Sequence, residues 1–225
     1  MSTAAHNVFF FDCDNTLLDN DRFKDDLDSW LKREFGDEGA ARYWTLYDQL
    51  RAELGIADYL GAAQRFGIDT PDDPTLARLS SFLLDYPFAS RLYAGALDTL
   101  AHCGRYGTTA ILSDGDTRFQ PRKLQRSGLW DAVEGRVLIY VHKEKSLDKV
   151  LRRFPARHYL MIDDKLSILT AMKAILRTRL TTLWPRQGHY AREAANANYP
   201  PADLTVEKIG DLARFDFSTL LAKQT

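Results

Sequence analysis

The sequence has little that would tie it to an oxidising compartment, a membrane or a polyanion. Its 225 residues include only two cysteines, Cys13 and Cys103, which exclude a disulfide framework and lack the spacing of a metal site. No apolar run approaches the roughly 20 residues that cross a bilayer, and the first residues lack the basic start and apolar length of a signal sequence. A formal net charge of −1 provides no field that would attract a nucleic acid. We therefore expect a cytoplasmic protein that binds neither a nucleic acid polymer nor a membrane, and the oligomeric state stays open.

Apolar residues make up 45% of the chain, which is enough for a substantial core. The run from Val8 to Phe11 is typical of a fully buried strand, and after residue 90 predicted strands alternate with predicted helices. The predicted strands are 8–11, 108–112, 136–141, 159–162 and 180–184. Helices between successive strands indicate a parallel sheet covered on both faces, hence an α/β fold with a Rossmann-like core.

Residues 20 to 89 contain no predicted strand and repeat apolar residues at helical spacing. The elements predicted there are a helix capped by Asn20 or Asp21, a second ending at Gly55, a third over 56–66, a turn over 69–74 and a fourth helix ending near Leu84. Residues 185–205 are predicted to be irregular. The predicted domains are thus an α/β core, 1–19 with 90–225, and an inserted helical domain, 20–89, placed to cover the sheet edge from which it leaves.

Two aspartates, Asp12 and Asp14, directly follow the first predicted strand. Because strand side chains alternate, both carboxylates point to one side and Cys13 to the other if the extended geometry continues past Phe11. Two like charges held together are costly unless a cation lies between them or one carboxylate holds a proton. Open α/β sheets bind their ligands at this carboxyl edge, so the pair is a candidate for chemistry.

Polar groups also follow three other predicted strands. They are Ser113-Asp114-Gly115 after the second, His142-Lys143-Glu144-Lys145 after the third, and Asp163-Asp164 after the fourth. Carboxylates from two strands can hold Mg²⁺ against a phosphate, and a lysine offsets the crowded negative charge. The Ser113 hydroxyl and the backbone N–H groups that follow it can bind phosphate oxygens. Collected on one edge of the sheet, these groups suit the handling of a phosphoryl group.

This order of motifs, DxDxT followed by a hydroxyl, a lysine and a DD pair at successive strand ends, resembles the haloacid dehalogenase-like (HAD) hydrolase superfamily. The resemblance implies that Asp12 is a nucleophile that becomes a transient aspartyl-phosphate. Asp14 would protonate the leaving oxygen and then activate water. An acid at position 14 favours a phosphatase over a haloacid-cleaving member, because an alkoxide leaving group needs a proton and a halide does not. The implied function is a Mg²⁺-dependent phosphatase for a small phosphorylated metabolite.

The same resemblance assigns roles to the remaining groups. The residues that would position the loop and bind phosphate are Thr16, Ser113, Asp114, Gly115 and Lys145. Lys143 would stabilise the charged intermediate, with Lys145 as its rival. The magnesium ligands would be Asp12, Asp163, Asp164 and, through its backbone carbonyl, Asp14. The helical insert would be a C1-type cap that selects the substrate.

Three departures from the family pattern bear on these roles. Asn15 stands where glycine is commonest, as in some pyrimidine-nucleotidase-like members, and this points to nucleotide monophosphates as one substrate group. The lysine motif lacks its usual proline, and Lys143 is preferred over Lys145 because it is nearer the strand end. Ile168 stands where many members have a second acid, so the chain resembles the DD variant, with Asp164 preferred over Asp163 as the direct metal ligand.

Three other functions stay open. A phosphomutase would use the same intermediate but pass the phosphoryl group to a sugar hydroxyl. A signalling receiver domain also clusters aspartate and lysine on a parallel sheet, but its phosphoacceptor follows the third strand, where this chain has Val141-His142-Lys143. A HAD-like binding protein without activity would fit Asn15, the missing proline and Ile168.

Polar residues elsewhere on this edge are secondary candidates. Lys165 is predicted to lie at the surface. The residues considered for substrate contact are Asp19 and Asn20 at the entry to the insert, and Arg186, His189 and Arg192 in the loop after the fifth strand.

Overall fold

The structure, a computed structural model that describes residues 5–68 and 73–222, is built on a six-stranded parallel sheet. The strands are β1 (Ala5–Phe11), β2 (Thr108–Asp114), β3 (Val137–Tyr140), β4 (Ala156–Ile162), β5 (Leu180–Pro185) and β6 (Leu204–Val206). They lie in the order β3-β2-β1-β4-β5-β6, and every neighbouring pair is parallel. The predicted α/β class is confirmed. The prediction that residues 185–205 are irregular is wrong at its end, where strand β6 begins.

Helices connect the strands and form the insert after β1. They are α1 (Asn20–Leu54), α2 (Tyr59–Ile68), α3 (Thr75–Asp85), α4 (Ala96–Cys103), α5 (Phe119–Ser127), α6 (Leu129–Ala132), α7 (Leu147–Arg153), α8 (Leu166–Leu176) and α9 (Phe217–Ala222). Short 3₁₀ helices span Phe88–Arg91, Lys143–Lys145, Arg177–Arg179, Tyr190–Arg192, Ala194–Asn198 and Ile209–Arg214. Within the described ranges, no helix is both long and apolar enough to cross a membrane.

Strand β1 separates the two halves of the hydrophobic core. Phe9 and Phe11 face one cluster of buried side chains, and Val8 and Phe10 face the other. Cys13 packs with the Phe9 and Phe11 cluster, so the alternation continues past the end of the strand. This directs the Cys13 side chain into the core, and the neighbouring positions, 12 and 14, face the cavity described below.

The first two helical runs of the insert meet at Gly36 within α1, where φ is +72° and the backbone is not helical. Asp19, rather than Asn20 or Asp21, is the N-cap of α1, because its carboxylate accepts the N–H of Arg22 at 2.9 Å. The helix ends at Gly55 as predicted, with φ of +74°.

Helix α2 begins three residues later than predicted and does not stop at Gly67. Asp58 Oδ1 accepts the N–H of Gly61 at 2.7 Å and so fixes the start of the helix. Residues 69–72 of the predicted turn lie outside the described residues. The fourth predicted helix is α3, and the helical insertion after β1 is therefore present, although its exact domain boundaries stay a prediction.

Aromatic packing holds the insert against the core. The Phe23 ring of α1 lies 5.2 Å from Tyr59 of α2, 5.1 Å from Phe88 and 5.8 Å from Phe119 of α5, measured between ring centroids. All four rings are buried. The contact with Phe119 joins α1 of the insert to α5, the helix that follows β2.

Candidate active site

Lys143 joins the ends of three strands. Its Nζ lies 2.5 Å from Asp12 Oδ1 after β1 and 2.6 Å from Asp163 Oδ2 after β4. Its backbone N–H donates to Asp114 Oδ1 at the end of β2, at 2.8 Å. Burial alone would lower the pKa of Lys143, but the facing carboxylates of Asp12 and Asp163 outweigh burial and raise it. Lys143 therefore stays an ammonium in a site with an excess of carboxylates, whereas its rival Lys145 is exposed.

Asp12, Asp163 and Asp164 form a buried acidic cluster whose candidate ligand atoms all lie within 4.8 Å of one another. Burial raises the pKa of Asp12 to about 7, against the opposing effect of Lys143. Burial and the charges of Asp163 and Asp12 raise the pKa of Asp164 well above its ordinary value. Lys143 and the nearby Lys165 carry two positive charges against three carboxylates, so the cluster favours an additional cation.

The two neighbouring aspartates differ in what their side chains contact. Asp163 is engaged by Lys143 and by the backbone N–H of Lys165, which donates to its Oδ1 at 2.9 Å. Both carboxylate oxygens of Asp164 are buried without a hydrogen-bond partner. Unpartnered buried carboxylate oxygens are costly unless they coordinate a cation, and hard oxygen donors suit Mg²⁺. The cluster thus fits a magnesium ion, with Asp164 as the best-placed direct ligand.

The backbone of the DD segment is fixed from two sides. The N–H of Asp164 donates to Thr16 Oγ1 at 3.0 Å, and Trp184 Nε1 donates to the Asp164 carbonyl oxygen at 2.8 Å. Thr16 is fully buried, so its hydroxyl ties the loop after β1 to the loop after β4. This arrangement orients Asp164 without using its carboxylate.

Asp14 forms an ion pair with a different lysine, Lys123. Lys123 Nζ on α5 lies 2.7 Å from Asp14 Oδ1 and 2.9 Å from Oδ2, and it also donates to Asn20 Oδ1 at 2.9 Å. Gln120 Nε2 donates to Asp14 Oδ2 at 3.3 Å and to Ser113 Oγ at 3.0 Å. The repulsion expected between Asp12 and Asp14 is therefore relieved by a separate ammonium for each. The Asp14 side chain is not part of the acidic cluster, and metal binding through its carbonyl stays a prediction.

Lys123 and Gln120 were missed from the sequence. The segment FQPRKLQRS resembles a solvated cationic helix face, which is the usual setting of neighbouring arginines and lysines. In the folded protein Lys123 is only 1% exposed, and its Nζ lies 5.4–6.0 Å from the centroids of the Phe23, Tyr59, Phe88 and Phe119 rings. Only the packing of the insert on α5 reveals this burial. The one sequence feature that could have indicated it is that Lys123 has no acidic residue three or four positions away along the helix with which to pair.

The departure at Asn15 has a local cause. Its φ is +61°, the left-handed region in which glycine is easiest and asparagine is among the best tolerated other residues. Asn15 Oδ1 accepts the N–H groups of Asn20 and Asp21 at 3.0 and 3.2 Å, and its Nδ2 donates to Asp21 Oδ1 at 3.0 Å. Asn15 thereby caps α1 together with Asp19, a task that glycine has no side chain to perform.

A cavity of about 160 Å³ lies between this edge of the sheet and the insert. Core residues of the cavity wall include Asp12, Asp14, Ser113, Asp114, Gly115, His142, Lys165, His189 and Tyr190. Insert residues of the wall include Asn20, Lys24, Tyr47, Arg51 and Tyr59. The predicted residues Asp19, Lys145, Arg186 and Arg192 do not line it.

The prediction that Lys165 lies at the surface is wrong, because the residue lines the cavity. Its Nζ lies 4.4 Å from the centroid of the Tyr190 ring. Burial lowers its pKa, but Tyr190 and the carboxylates of Asp164 and Asp12 outweigh burial and raise it. A residue between an acidic pair and a helix start gives no sequence sign of which side it faces.

A buried acidic cluster at the carboxyl edge of a parallel sheet, beneath a helical insertion, places the chain among α/β proteins with a candidate metal site at the strand ends. A family model described as haloacid dehalogenase-like hydrolase matches residues 6–175, and the chain belongs to this family. The resemblance in its motifs is therefore confirmed.

Solved structures agree with this assignment. A protein from Burkholderia xenovorans described as a haloacid dehalogenase-like hydrolase is 60% identical over 94% of this chain and 99% of its own, with a TM-score of 0.87. A HAD hydrolase from Bacillus subtilis bound to magnesium is 17% identical over 92% of this chain and 96% of its own, with a TM-score of 0.57. The L-2-haloacid dehalogenase from Xanthobacter autotrophicus is 20% identical over 93% and 97%, with a TM-score of 0.58. The last two share the fold. No protein with a curated description matches.

Proposed function

We propose that the chain is a Mg²⁺-dependent phosphomonoester phosphatase that acts on a small phosphorylated metabolite through an aspartyl-phosphate on Asp12. The observation that carries the proposal is that Asp12 and Asp14 line one cavity but contact different lysines, Lys143 and Lys123. Two carboxyl groups with separate environments can take separate roles, as a nucleophile and as an acid–base group. A halide leaving group would need no acid–base group, because it leaves without a proton.

In the first step an Asp12 carboxylate oxygen attacks phosphorus and the bond from phosphorus to the ester oxygen breaks. Asp14 gives its proton to that leaving oxygen. In the second step Asp14, now a carboxylate, accepts a proton from water as the water oxygen attacks phosphorus and the bond to Asp12 breaks. Lys123 and Gln120 donate to the Asp14 carboxyl group and so hold it at the cavity wall.

The remaining residues offset the negative charge of Asp12 and of the phosphoryl group. Lys143 contacts Asp12 directly and offsets the negative charge that accumulates there. Asp12 and Asp164 would hold Mg²⁺, with Asp163 beside them, and the bound ion would offset charge on the phosphoryl oxygens. Ser113 lies in the cavity wall and is buried, which suits a hydroxyl that contacts a phosphate oxygen.

The test is phosphate release from a panel of phosphorylated metabolites, with and without Mg²⁺, by the wild type and by Asp12→Asn. We expect release that requires both Mg²⁺ and Asp12. Transfer of the phosphoryl group to a sugar hydroxyl without release would instead identify a phosphomutase. Absence of both activities would contradict the proposal and favour a binding protein. Nucleotide monophosphates belong in the panel because of the residue type at position 15.

A further inference from the structure

The wall of the cavity that the insert provides is cationic. Lys24 and Arg51, both on α1, line the same cavity as Asp12 of the acidic cluster. Among the described residues, neither side chain forms an ion pair with a carboxylate, whereas Lys143 and Lys123 in the core do. The charges of Lys143 and Lys123 are thus offset by carboxylates in direct contact, whereas Lys24, Arg51 and the core lysine Lys165 line the cavity without an ion pair among the described residues.

Lys24 is held in place by aromatic rings instead of by an acid. Its Nζ lies 5.5 Å from the centroids of both Trp44 and Tyr47. Aromatic faces position an ammonium without neutralising its charge. Burial and repulsion from Arg51 lower the pKa of Lys24. Nearby aspartates on α1 raise this pKa, but by less. An anion bound beside the two cations would offset the repulsion between them.

Arg51 lines the cavity, and among the described residues its guanidinium has one hydrogen-bond partner. Its guanidinium donates to Tyr190 Oη at 3.2 Å, a contact between the insert and the core loop after β5. The planar guanidinium has five N–H donors arranged to bind a carboxylate or a phosphate with two parallel hydrogen bonds. The contact with Tyr190 holds the side chain beside the cavity, and the remaining N–H donors can bind an anionic group of a substrate.

The cavity is also small. Its volume of about 160 Å³ is below the roughly 300 Å³ at which pockets for larger organic ligands begin. A short carbon skeleton fits this space better than a nucleoside. Asp12, with Lys143 in contact with it, belongs to the core wall of the cavity, and Lys24 and Arg51 belong to the wall that the insert provides.

From this arrangement, and resting on the proposed function, we propose that the substrate is a short phosphate monoester with a second anionic group. Lys24 and Arg51 bind that group while the phosphoryl group lies at Asp12. A carboxylate and a second phosphate have the same chemistry here, and the experiment separates them.

The experiment compares kcat/KM for three esters of matched skeleton in the presence of Mg²⁺. Ethyl phosphate has no second anion, 2-phosphoglycolate has a carboxylate, and ethylene glycol bisphosphate has a second phosphate. For the wild type we expect at least one anionic ester to exceed ethyl phosphate by about tenfold or more, the value of one charge-assisted hydrogen bond. The better of the two identifies the second group, and uridine monophosphate should be a poor substrate.

The variants Lys24→Gln and Arg51→Gln should remove most of this preference, mainly through a higher KM for the anionic ester. Lys32→Gln is the matched control, because Lys32 is an exposed lysine on the same helix that does not line the cavity. Equal kcat/KM for all three esters, or a preference that survives both variants, would overturn this inference and leave the phosphatase intact. Hydrolysis of none of the three by a protein that releases phosphate from another ester of the metabolite panel would overturn this inference alone. Absence of phosphate release from the whole panel would overturn the proposed function.

Discussion

Lys123 and Asp14 form a bidentate ion pair, with the Lys123 ammonium 2.7 and 2.9 Å from the two Asp14 oxygens. The lysine is 1% exposed and enclosed by aromatic rings, whereas the Asp14 side chain is 31% exposed toward the cavity. The buried partner is thus the fixed one, and the carboxylate is oriented by it. Lys123 itself neither lines the cavity nor belongs to the acidic cluster, so we regard it as a positioning residue for Asp14.

Lys123→Met should therefore lower kcat more than it raises KM. A general acid–base group contributes about 10²–10⁴-fold, and loss of its orientation should remove about 10- to 100-fold of this. Steady-state kinetics on the best substrate of the panel measures the split. Lys149→Met, at an exposed position on α7, is the control. An equal loss in both variants, or a change in KM alone, would show that Lys123 does not act through Asp14.

The choice between the two lysines after β3 gives a second prediction. Lys143→Met should reduce kcat/KM by about 10²–10³-fold, because it removes the charge that contacts Asp12. Lys145→Met should change it little, since Lys145 is exposed and does not line the cavity. Circular dichroism of both variants verifies that they are folded. The reverse order of effects would make Lys145 the residue at the reaction centre.

Metal binding should stabilise the fold through Asp164. At about 100-fold excess over its dissociation constant, Mg²⁺ should add about 2.7 kcal/mol to the free energy of unfolding. That corresponds to an increase of about 5–10 °C in Tm for a chain of this size. Asp164→Asn should lose the shift, and without metal it should be no less stable than the wild type, because a buried carboxylate without partners is removed. Asp148→Asn, at an exposed position on α7, should keep it. An unchanged Mg²⁺ shift in Asp164→Asn would exclude Asp164 as a ligand.

His158 should make stability depend on pH. It is buried, with Nε2 2.8 Å from Thr181 Oγ1, and burial and Lys173 lower its pKa, with Asp203 opposing and Arg179 adding to the effect. Because the folded pKa is below the unfolded one, the unfolded state takes up the proton first as pH falls. The stabilising contribution is complete above the unfolded pKa and is lost as pH falls through the folded pKa.

Urea unfolding at about pH 7.5 and about pH 5 tests this for the wild type and His158→Gln. The wild type should lose more unfolding free energy on acidification than the variant does. Equal losses would show that His158 is not protonated more readily in the unfolded state.

The sequence was sufficient to predict the positions of residues that are fixed by their neighbours along the chain. The aromatic run of β1 predicts a central strand, and Asp12, Lys143 and Asp163 meet because parallel strands end on one edge. Strand β6 was missed because three residues are too short for a period to appear.

Residues whose roles arise from packing between distant segments could not be predicted. Lys123 is buried only because Phe23 and Tyr59 of the insert enclose it, and Lys165 faces the cavity only because Tyr190 packs beside it. Charged side chains of this kind have the same local pattern as surface residues. The capping role of Asn15 likewise depends on where the first helix of the insert begins.

The central claim is a covalent phosphoryl group on Asp12, and mass spectrometry after an acid quench tests it most directly. The Asp14→Asn variant, mixed with Mg²⁺ and acetyl phosphate, should form the intermediate, since this leaving group needs no proton, and should hydrolyse it slowly because the base is missing. We predict a mass increase of one phosphoryl group located on Asp12 and absent from the Asp12→Asn Asp14→Asn double variant. A phosphoryl group on another residue, or none in a variant whose parent releases phosphate, would contradict the account.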